Sequence, residues 1–268
     1  MAILTISREF GSGGRTVGHA VADSLVYEYL GKGRIFQHIK ASGYKWEEWA
    51  QELDEHNPTL WERYDWSFRG FGALIQSTIL NHALHDNIVI MGRGGSFLLK
   101  GVPHALSVRI IAPLETRVAR IISRDSIDAT TARQLVERTD RERTGFVHAL
   151  YGKSIDDPSE YDATFDTGKQ KIEEIIQAVT SLLEEKERQK TEKSLKNLQA
   201  QATAARIKAG LLTDPALFAI MTLDLEYDGT CFVLHGIVHN PREHKRVEDA
   251  ARRIAENQPL RCELHYRT

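Results

Sequence analysis

The chain has 268 residues, of which 41% are hydrophobic, enough for one large or two smaller globular domains. Its 35 lysines and arginines balance 37 acidic residues, and the formal net charge of -2 excludes a general attraction to nucleic acid. No apolar stretch approaches the roughly 18 residues of a spanning helix, and no signal-like segment opens the sequence. We therefore expect a cytoplasmic protein without an integral membrane segment.

The first predicted element is an apolar strand that runs into a glycine-rich turn and then a helix. The turn reads GSGGRT over residues 11–16. Glycines let successive backbone N–H groups point into one concavity, and a helix start adds its positive dipole end. This pattern predicts a phosphate site at Gly11, Gly13 and Gly14. A glycine turn that serves only strand-to-helix packing is the alternative.

The same turn departs from the standard phosphate loop, G-x-x-x-x-G-K-[ST]. Arg15 stands in place of the lysine, and Glu9 stands where the first glycine would be. In this variant loop, Arg15 would supply the positive charge and Thr16 the hydroxyl for a metal ion, although a guanidinium wraps a phosphate chain less closely than an ammonium does.

Residues 35–85 have a helical pattern rich in aromatic side chains: Trp46, Trp49, Trp61, Tyr64, Trp66, Phe68 and Phe71. Aromatic residues at such spacing are usually core or a partner surface. The pattern leaves open an acceptor-domain insertion or the face of a homodimer.

Further short apolar runs predict strands at residues 87–91, 107–112 and 164–166, the first ending in a second glycine turn at residues 92–95. Helical segments between the strands imply parallel pairing through crossovers, hence an α/β sheet with helices on both faces. Ligands then bind at the carboxyl ends of the strands, where both glycine turns fall.

The helical segment 114–151 is rich in arginine, with side chains at Arg117, Arg120, Arg124, Arg133, Arg138, Arg141 and Arg143. The first three share one helix face, and the last three follow on a second segment. Two such rows are suited to enclosing a polyphosphate. A solvated face of arginines and interspersed acidic residues is the alternative.

After a predicted helix at 172–183, the composition changes. Residues 186–201 are almost wholly charged or polar and indicate a helical linker. From residue 202 the pattern predicts a helix to 212, alternating segments at 218–227 and 230–238, a helix at 241–257 and a strand at 260–266, with Asp228-Gly229 as a hairpin turn. This predicts a small α+β module.

Four blocks in order carry a family resemblance: ISREFGSGGR at 6–15, IVIMGRG at 88–94, VRIIAPLETRVARI at 108–121, and DRER at 140–143 followed by YG at 151–152 and DDP at 156–158. On these blocks, residues 1–185 resemble the cytidylate kinase-like family of P-loop nucleoside monophosphate kinases. The resemblance implies a P-loop NTPase-type parallel sheet, with ATP and Mg²⁺ as cofactors.

The resemblance also assigns site residues. The loop residues Gly11, Ser12, Gly13, Gly14, Arg15 and Thr16 would cradle the ATP phosphates, with Thr16 on Mg²⁺. Arg93 would hold the monophosphate acceptor, and Arg138, Arg141 and Arg143 would belong to a mobile lid.

One position departs from the family pattern. The family tends to place an aromatic residue and an aspartate after the first helix, and this chain has Phe36-Gln37 there. Gln37 is still able to hydrogen-bond a base or sugar, but it carries no charge. Gln37 therefore joins Arg93 and Arg138 as a candidate acceptor-binding residue.

The C-terminal module, residues 202–268, resembles a BON domain through LTDP at 212–215, DG at 228–229, VLHGIV at 233–238 and AARRIA at 250–255. The resemblance implies an accessory module that binds a ligand, which the sequence leaves unknown. The predicted division is therefore a kinase-like domain at 1–185, a linker at 186–201 and a BON-like domain at 202–268.

Two functions follow from the sequence. The first is an ATP-dependent nucleoside monophosphate kinase with CMP or dCMP as the favoured acceptor, in which Arg15, Arg141 and Arg143 stabilise the transferring phosphoryl group. The alternative is a catalytically weak regulatory protein that binds a nucleotide or another phosphorylated ligand and signals through the BON-like module.

Overall fold

The computed structural model describes residues 2–41, 43, 46, 58, 59, 62–220 and 223–267. These residues form two compact units, one of Met1–Pro58 with His85–Ser194, the other of Thr59–Leu84 with Leu195–Thr268. Part of the predicted aromatic segment, including Trp49 and Trp61, lies outside the described residues. The predicted boundaries at 185 and 202 stay a prediction.

The first unit is built on a five-stranded parallel sheet with the strand order β2-β3-β1-β4-β5. Its strands are β1 (Ile3–Arg8), β2 (Glu28–Leu30), β3 (Ile88–Met91), β4 (Ala105–Ile111) and β5 (Ala163–Asp166). The parallel sheet predicted from the sequence is confirmed. Strand β2 adds an edge that the sequence did not indicate.

The described residues also form helices. They are α1 (Gly14–Leu25), α2 (Lys32–Lys40), α3 (Trp66–Ala83), α4 (Gly95–Leu98), α5 (Leu114–Asp125), α6 (Ala129–Tyr151), α7 (Ile172–Glu187), α8 (Glu192–Leu212) and α9 (Pro241–Ala255). The arginine-rich segment predicted as one stretch is divided at residues 126–128. There Ser126 adopts a left-handed conformation and Asp128 caps α6 by accepting hydrogen bonds from the N–H groups of Thr130 and Thr131.

Alternation along β1 separates the two faces of the sheet. Leu4 and Ile6 are fully buried in a core with side chains from α1 and α7. Thr5 points to the opposite face, where its hydroxyl donates to Ser96 Oγ of α4 at 3.1 Å. Successive strand residues face opposite ways. The sheet is therefore covered on both faces, and its carboxyl edge is left for the turns that follow β1 and β3.

The second unit contains a mixed three-stranded sheet, β6 (Asp224–Tyr227), β7 (Phe232–Val238) and β8 (Leu260–Tyr266), in that order. Strands β6 and β7 are antiparallel, and β8 is parallel to β7. Asp228 accepts hydrogen bonds from the N–H groups of Thr230 and Cys231, which closes the predicted hairpin turn and lowers the pKa of its carboxyl. The mixed sheet and the hairpin turn agree with the small α+β module predicted from the sequence.

Apolar side chains from the helices α8 and α9 cover one face of this sheet, among them Ile207, Leu211, Val247 and Ala251. Asn240 caps α9 by accepting a hydrogen bond from Glu243 N–H, and Pro241 occupies the first turn. Within the described residues, no helix is long and apolar enough to cross a membrane.

Candidate functional site

The glycine-rich turn joins the carboxyl end of β1 to the start of α1. Gly11 and Gly13 have φ values of 79° and 83°, in the left-handed region that favours glycine. A Cβ at Gly14 would stand 2.7 Å from Arg8 Cβ, so a side chain there would press on the strand. Since Gly13 is the N-cap of α1 and has no side chain to cover the first turn, the helix presents its backbone N–H groups at this edge.

A cavity of about 1060 Å³ opens at this edge of the sheet. Its lining includes many cationic side chains: Arg8, Arg15, Lys32, Arg34, Arg93, Arg120, Arg124 and Arg143. Among the described lining residues, Glu9 is the acidic one. The glycine turn and this concentration of positive charge are what a polyphosphate requires.

The structure brings most of the predicted site residues to this cavity: Gly11, Gly13, Gly14, Arg15, Thr16, Arg93 and Arg143 line it. Ser12 is instead fully buried; its hydroxyl donates to Glu9 O at 2.9 Å, and its carbonyl accepts from Thr167 Oγ1 at 2.6 Å. Ser12 thus shapes the loop from behind.

Three predicted residues lie elsewhere among the described residues. Gln37, Arg138 and Arg141 are exposed and do not line the cavity. The Arg138 guanidinium lies 3.7 Å from Glu142 on the same helix. Their assignment to acceptor binding or transition-state charge stays a prediction.

The second glycine turn holds Arg93 in a constrained geometry. Arg93 has a φ of 56° and is only 4% exposed. Tyr151 at the end of α6 donates from its hydroxyl to Arg93 O at 2.8 Å, and the Tyr151 ring fills the place that a Cβ at Gly94 would occupy. A left-handed non-glycine residue beside a ligand cavity indicates backbone strain retained at a functional site.

Several cavity residues were not assigned a role from the sequence. Lys32 and Arg34 come from the segment after β2, where no motif marked them. Arg120 donates to Thr167 Oγ1 at 2.8 Å and to Thr167 O at 3.0 Å. The sequence placed Arg120 in the arginine row predicted to enclose a polyphosphate, without an individual role, and the structure brings it to the cavity.

Aromatic side chains complete the cavity. The Phe10 ring has the guanidinium carbons of Arg124 and Arg143 at 5.1 and 5.5 Å from its centroid. In the same cavity, Tyr29 stacks on His19 with ring centroids 3.8 Å apart. Burial raises the pKa of Tyr29, against the opposing effect of nearby arginine charges, so its hydroxyl stays a neutral hydrogen-bonding group at neutral pH.

Thr16 fits the requirement for a magnesium ligand. Its side chain is exposed on the cavity, and its hydroxyl is the hard oxygen donor that Mg²⁺ prefers. Among the described residues, no cluster of three or more histidine, cysteine or acidic side chains could hold a metal. A magnesium ion here would take its remaining ligands from the phosphates of a bound ligand and from water.

The sheet order, the glycine turn at the first strand and the cationic cavity define a P-loop-type phosphate-binding domain. Residues 3–169 match the model of the cytidylate kinase-like family. The chain therefore belongs to the cytidylate kinase-like family, and its N-terminal part is a kinase-like phosphotransferase domain.

Relatives support this placement. A cytidylate kinase of Methanocaldococcus jannaschii is 27% identical over 186 residues, which cover 68% of this chain and 97% of the relative. A cytidylate kinase of Methanosarcina acetivorans is 31% identical over 170 residues, 62% of this chain and 87% of the relative. A crystal structure of an uncharacterized protein from Eubacterium ventriosum shares the fold with a TM-score of 0.55 and 20% identity, covering 69% of this chain and 99% of that one.

Proposed function

We propose that the chain is an ATP-dependent nucleoside monophosphate kinase with CMP or dCMP as its acceptor. The observation that carries the proposal is the shared cavity: the phosphate loop, through Gly11 and residues 13–16, and the strained turn at Arg93 line the same space. Phosphoryl transfer needs two phosphorylated substrates in one site, held mainly by positioning and by positive charge. The cytidylate kinases among the relatives support the choice of acceptor.

On the donor side, the N–H groups of Gly13 and Gly14 would hydrogen-bond the phosphates, and Arg15 would lie over them from the first turn of α1. Thr16 would contribute its hydroxyl to the magnesium ion. When bound, magnesium neutralises part of the phosphate charge. Arg15 would take the place of the usual loop lysine as a fixed cation.

On the acceptor side, Arg93 would bind the monophosphate, with Gln37 and Arg138 as further contacts. Arg143 already lines the cavity and would stabilise charge on the transferring group. Arg141, exposed on α6, would reach the phosphates only when the lid closes. Gln37 would contact the base or sugar through its amide.

A coupled assay with MgATP and each of CMP, dCMP, UMP, AMP and GMP tests the proposal. We expect the highest kcat/KM with CMP or dCMP. If another monophosphate is turned over fastest, the proposed CMP or dCMP acceptor is wrong, but the proposed kinase activity still holds. ATP binding by calorimetry without turnover of any acceptor would favour the regulatory alternative, while the absence of nucleotide binding would contradict both functions.

For the C-terminal part, we propose a BON-like accessory domain at residues 202–268, linked by residues 186–201. Its support is the helix-strand-strand-helix-strand order of α8 to β8 and the mixed sheet. Trp66 of α3 stacks on Phe218 with ring centroids 3.8 Å apart, inside the same compact unit. Trp66 belongs to the proposed kinase-like domain by sequence, whereas Phe218 belongs to the proposed accessory domain. The contact between them therefore allows the proposed domain boundary to be tested.

A truncation after Gln189 removes most of the proposed linker and all of the accessory domain. Because Trp66 and the apolar α3 lose partners from their own unit, we expect the truncated protein to be less soluble and to bind more of a hydrophobic dye than the full chain. Light scattering and dye fluorescence measure this. A monodisperse truncated protein with unchanged ATP binding would show instead that residues 1–189 fold and bind ATP without the rest of the chain.

A further inference from the structure

Arg117 on α5 contacts residues 9 and 10, at the start of the phosphate loop. It is 8% exposed. Its Nε donates to Ala112 O at 2.9 Å, and its Nη1 donates to Phe10 O at 3.2 Å. The same guanidinium pairs with Glu9 at 3.3 Å and with Asp140 of α6. Arg117 thus touches the loop, its own helix start and a second helix.

Asp140 completes the arrangement from α6. Its Oδ1 accepts a hydrogen bond from Phe10 N–H at 2.8 Å, while its Oδ2 accepts from Arg117. Glu9 Oε2 accepts from Ala112 N–H at 2.9 Å. Both backbone polar groups of Phe10 and the Glu9 carboxylate are therefore held by α5, α6 and the end of β4.

This arrangement changes which part of the loop is able to receive a phosphate. Because the N–H of Phe10 is directed to Asp140, it is turned away from any ligand in the cavity. A Cβ at Gly11 would stand 3.1 Å from Arg117 O, so the loop lies directly on α5. The donor phosphates must then meet the second half of the loop, from Gly13 to Thr16.

We propose that Arg117 and Asp140 are positioning residues for the donor phosphates. They fix residues 9–11 so that the N–H groups of Gly13 and Gly14 face the cavity, and they hold α6 where Arg143 lines it. In a loop that has Glu9 instead of the first glycine, side-chain contacts replace the standard backbone geometry. The inference rests on the proposed kinase function for its ligand, ATP.

The test uses the full chain, with Asp140→Asn and Asp140→Ala as graded variants. Asparagine keeps an oxygen that accepts from Phe10 N–H but loses the ionic contact with Arg117; alanine loses both. We expect the Kd of MgATP, measured by calorimetry, to rise about threefold for Asp140→Asn and about tenfold for Asp140→Ala. KM for ATP should rise in step, and KM for the acceptor should change little.

Arg133→Ala is the matched control. The Arg133 guanidinium lies 2.6 Å from Glu115 Oε1 and joins the same two helices through an exposed pair that is not part of the clamp on residues 9–11. We expect its MgATP affinity to stay within about twofold of the wild type. An equal loss in Arg133→Ala and Asp140→Ala would overturn the proposal, because helix pairing alone would then explain the effect.

Hydrogen exchange separates positioning from simple stability. The Phe10 amide should exchange faster in Asp140→Ala than in the wild type, whereas Asp140→Asn should retain part of its protection. If both variants bind MgATP as the wild type does, Asp140 has only a structural role and the proposal is overturned. Wild-type ATP binding without turnover would contradict the kinase function alone and leave the positioning role supported by the graded affinities.

Discussion

Arg117 and Arg120 lie three residues apart on α5, yet the structure uses their charges differently. Arg117 is paired with the carboxylates of Glu9 and Asp140. Arg120 donates to neutral oxygens, those of Thr167 and the carbonyl of Gly11. A carboxylate partner cancels a guanidinium charge, whereas a hydroxyl or carbonyl orients it and leaves it in place. Arg120 therefore contributes positive charge to the cavity, whereas the charge of Arg117 is neutralised by carboxylates that hold the scaffold together.

Arg117→Ala should have the largest effect on stability. The substitution leaves Glu9 and Asp140 without their buried cation, and we expect a loss of about 2 to 3 kcal/mol in the free energy of unfolding. Urea denaturation measures it. Arg133→Ala, which removes an exposed pair between the same helices, should cost about 0.5 kcal/mol or less. Equal losses would show that the buried pairs of Arg117 contribute no more to stability than an exposed pair between the same helices.

Arg15→Ala should weaken ATP binding without unfolding the chain. The side chain is exposed on the cavity, so its loss should cost at least about tenfold in affinity or transfer rate, about 1.4 kcal/mol, with the midpoint of thermal unfolding unchanged. Arg188→Ala, exposed at the end of α7 and outside the cavity lining, is the matched surface variant. An unaltered rate in Arg15→Ala would exclude it from the site. Arg15→Lys tests whether the loop accepts the standard residue.

A buried histidine extends the comparison to a side chain that burial keeps uncharged. His104 is fully buried; its Nε2 lies 3.6 Å from Asp86 Oδ1 and its Nδ1 3.3 Å from Ser194 Oγ. Burial lowers its pKa, with Asp86 opposing and Lys190 reinforcing the shift. The unfolded chain then binds a proton that the folded chain does not, and stability should fall as pH drops below about 6.5.

The slope contributed by His104 should be at most about 1.4 kcal/mol per pH unit. Urea denaturation of the wild type and of His104→Gln at pH 7.5 and 5.5 measures it, and the difference between the two pH values should be smaller in the variant. If both proteins lose the same stability on acidification, His104 is not the group that titrates.

The smallest expected effect concerns the proposed lid around Arg141 and Arg143. Guanidinium groups gathered near the cavity repel one another when no phosphate is present, so residues 133–152 should exchange amide hydrogens faster in the free protein. A bisubstrate analogue should slow that exchange by about threefold or more. Equal exchange with and without the analogue would place these arginines with Arg117, in the scaffold.

Local features were predictable from the sequence, because an apolar run and a glycine turn depend on neighbouring residues. The phosphate loop, the Arg93 turn and the last strand at Leu260–Tyr266 all follow from such runs. Strand β2 was missed because three residues are too few for an alternating pattern to appear. Helix spacing also placed Arg117 and Arg120 on one face.

The different partners of these arginines could not be predicted. Glu9 and Thr167 lie far from α5 in sequence, and only the folded chain brings one to Arg117 and the other to Arg120. For the same reason, the family resemblance located the segment of Arg141 and Arg143 but not which side chain lines the cavity. Contacts between distant segments decide the charge of a site, and pattern alone does not contain them.

Helix α6 is attached at two points, one to each glycine turn. The length of helix between these points therefore fixes the distance between the two turns. Asp140 contacts Phe10 after β1, and Tyr151 contacts Arg93 after β3. The two attachment points are separated by about 16 Å along the axis, at about 1.5 Å per residue. Any swing that brings Arg141 inward must release one anchor or carry both turns with it. Inserting one residue between the anchors would turn Tyr151 by about 100° about the axis and disconnect the two turns.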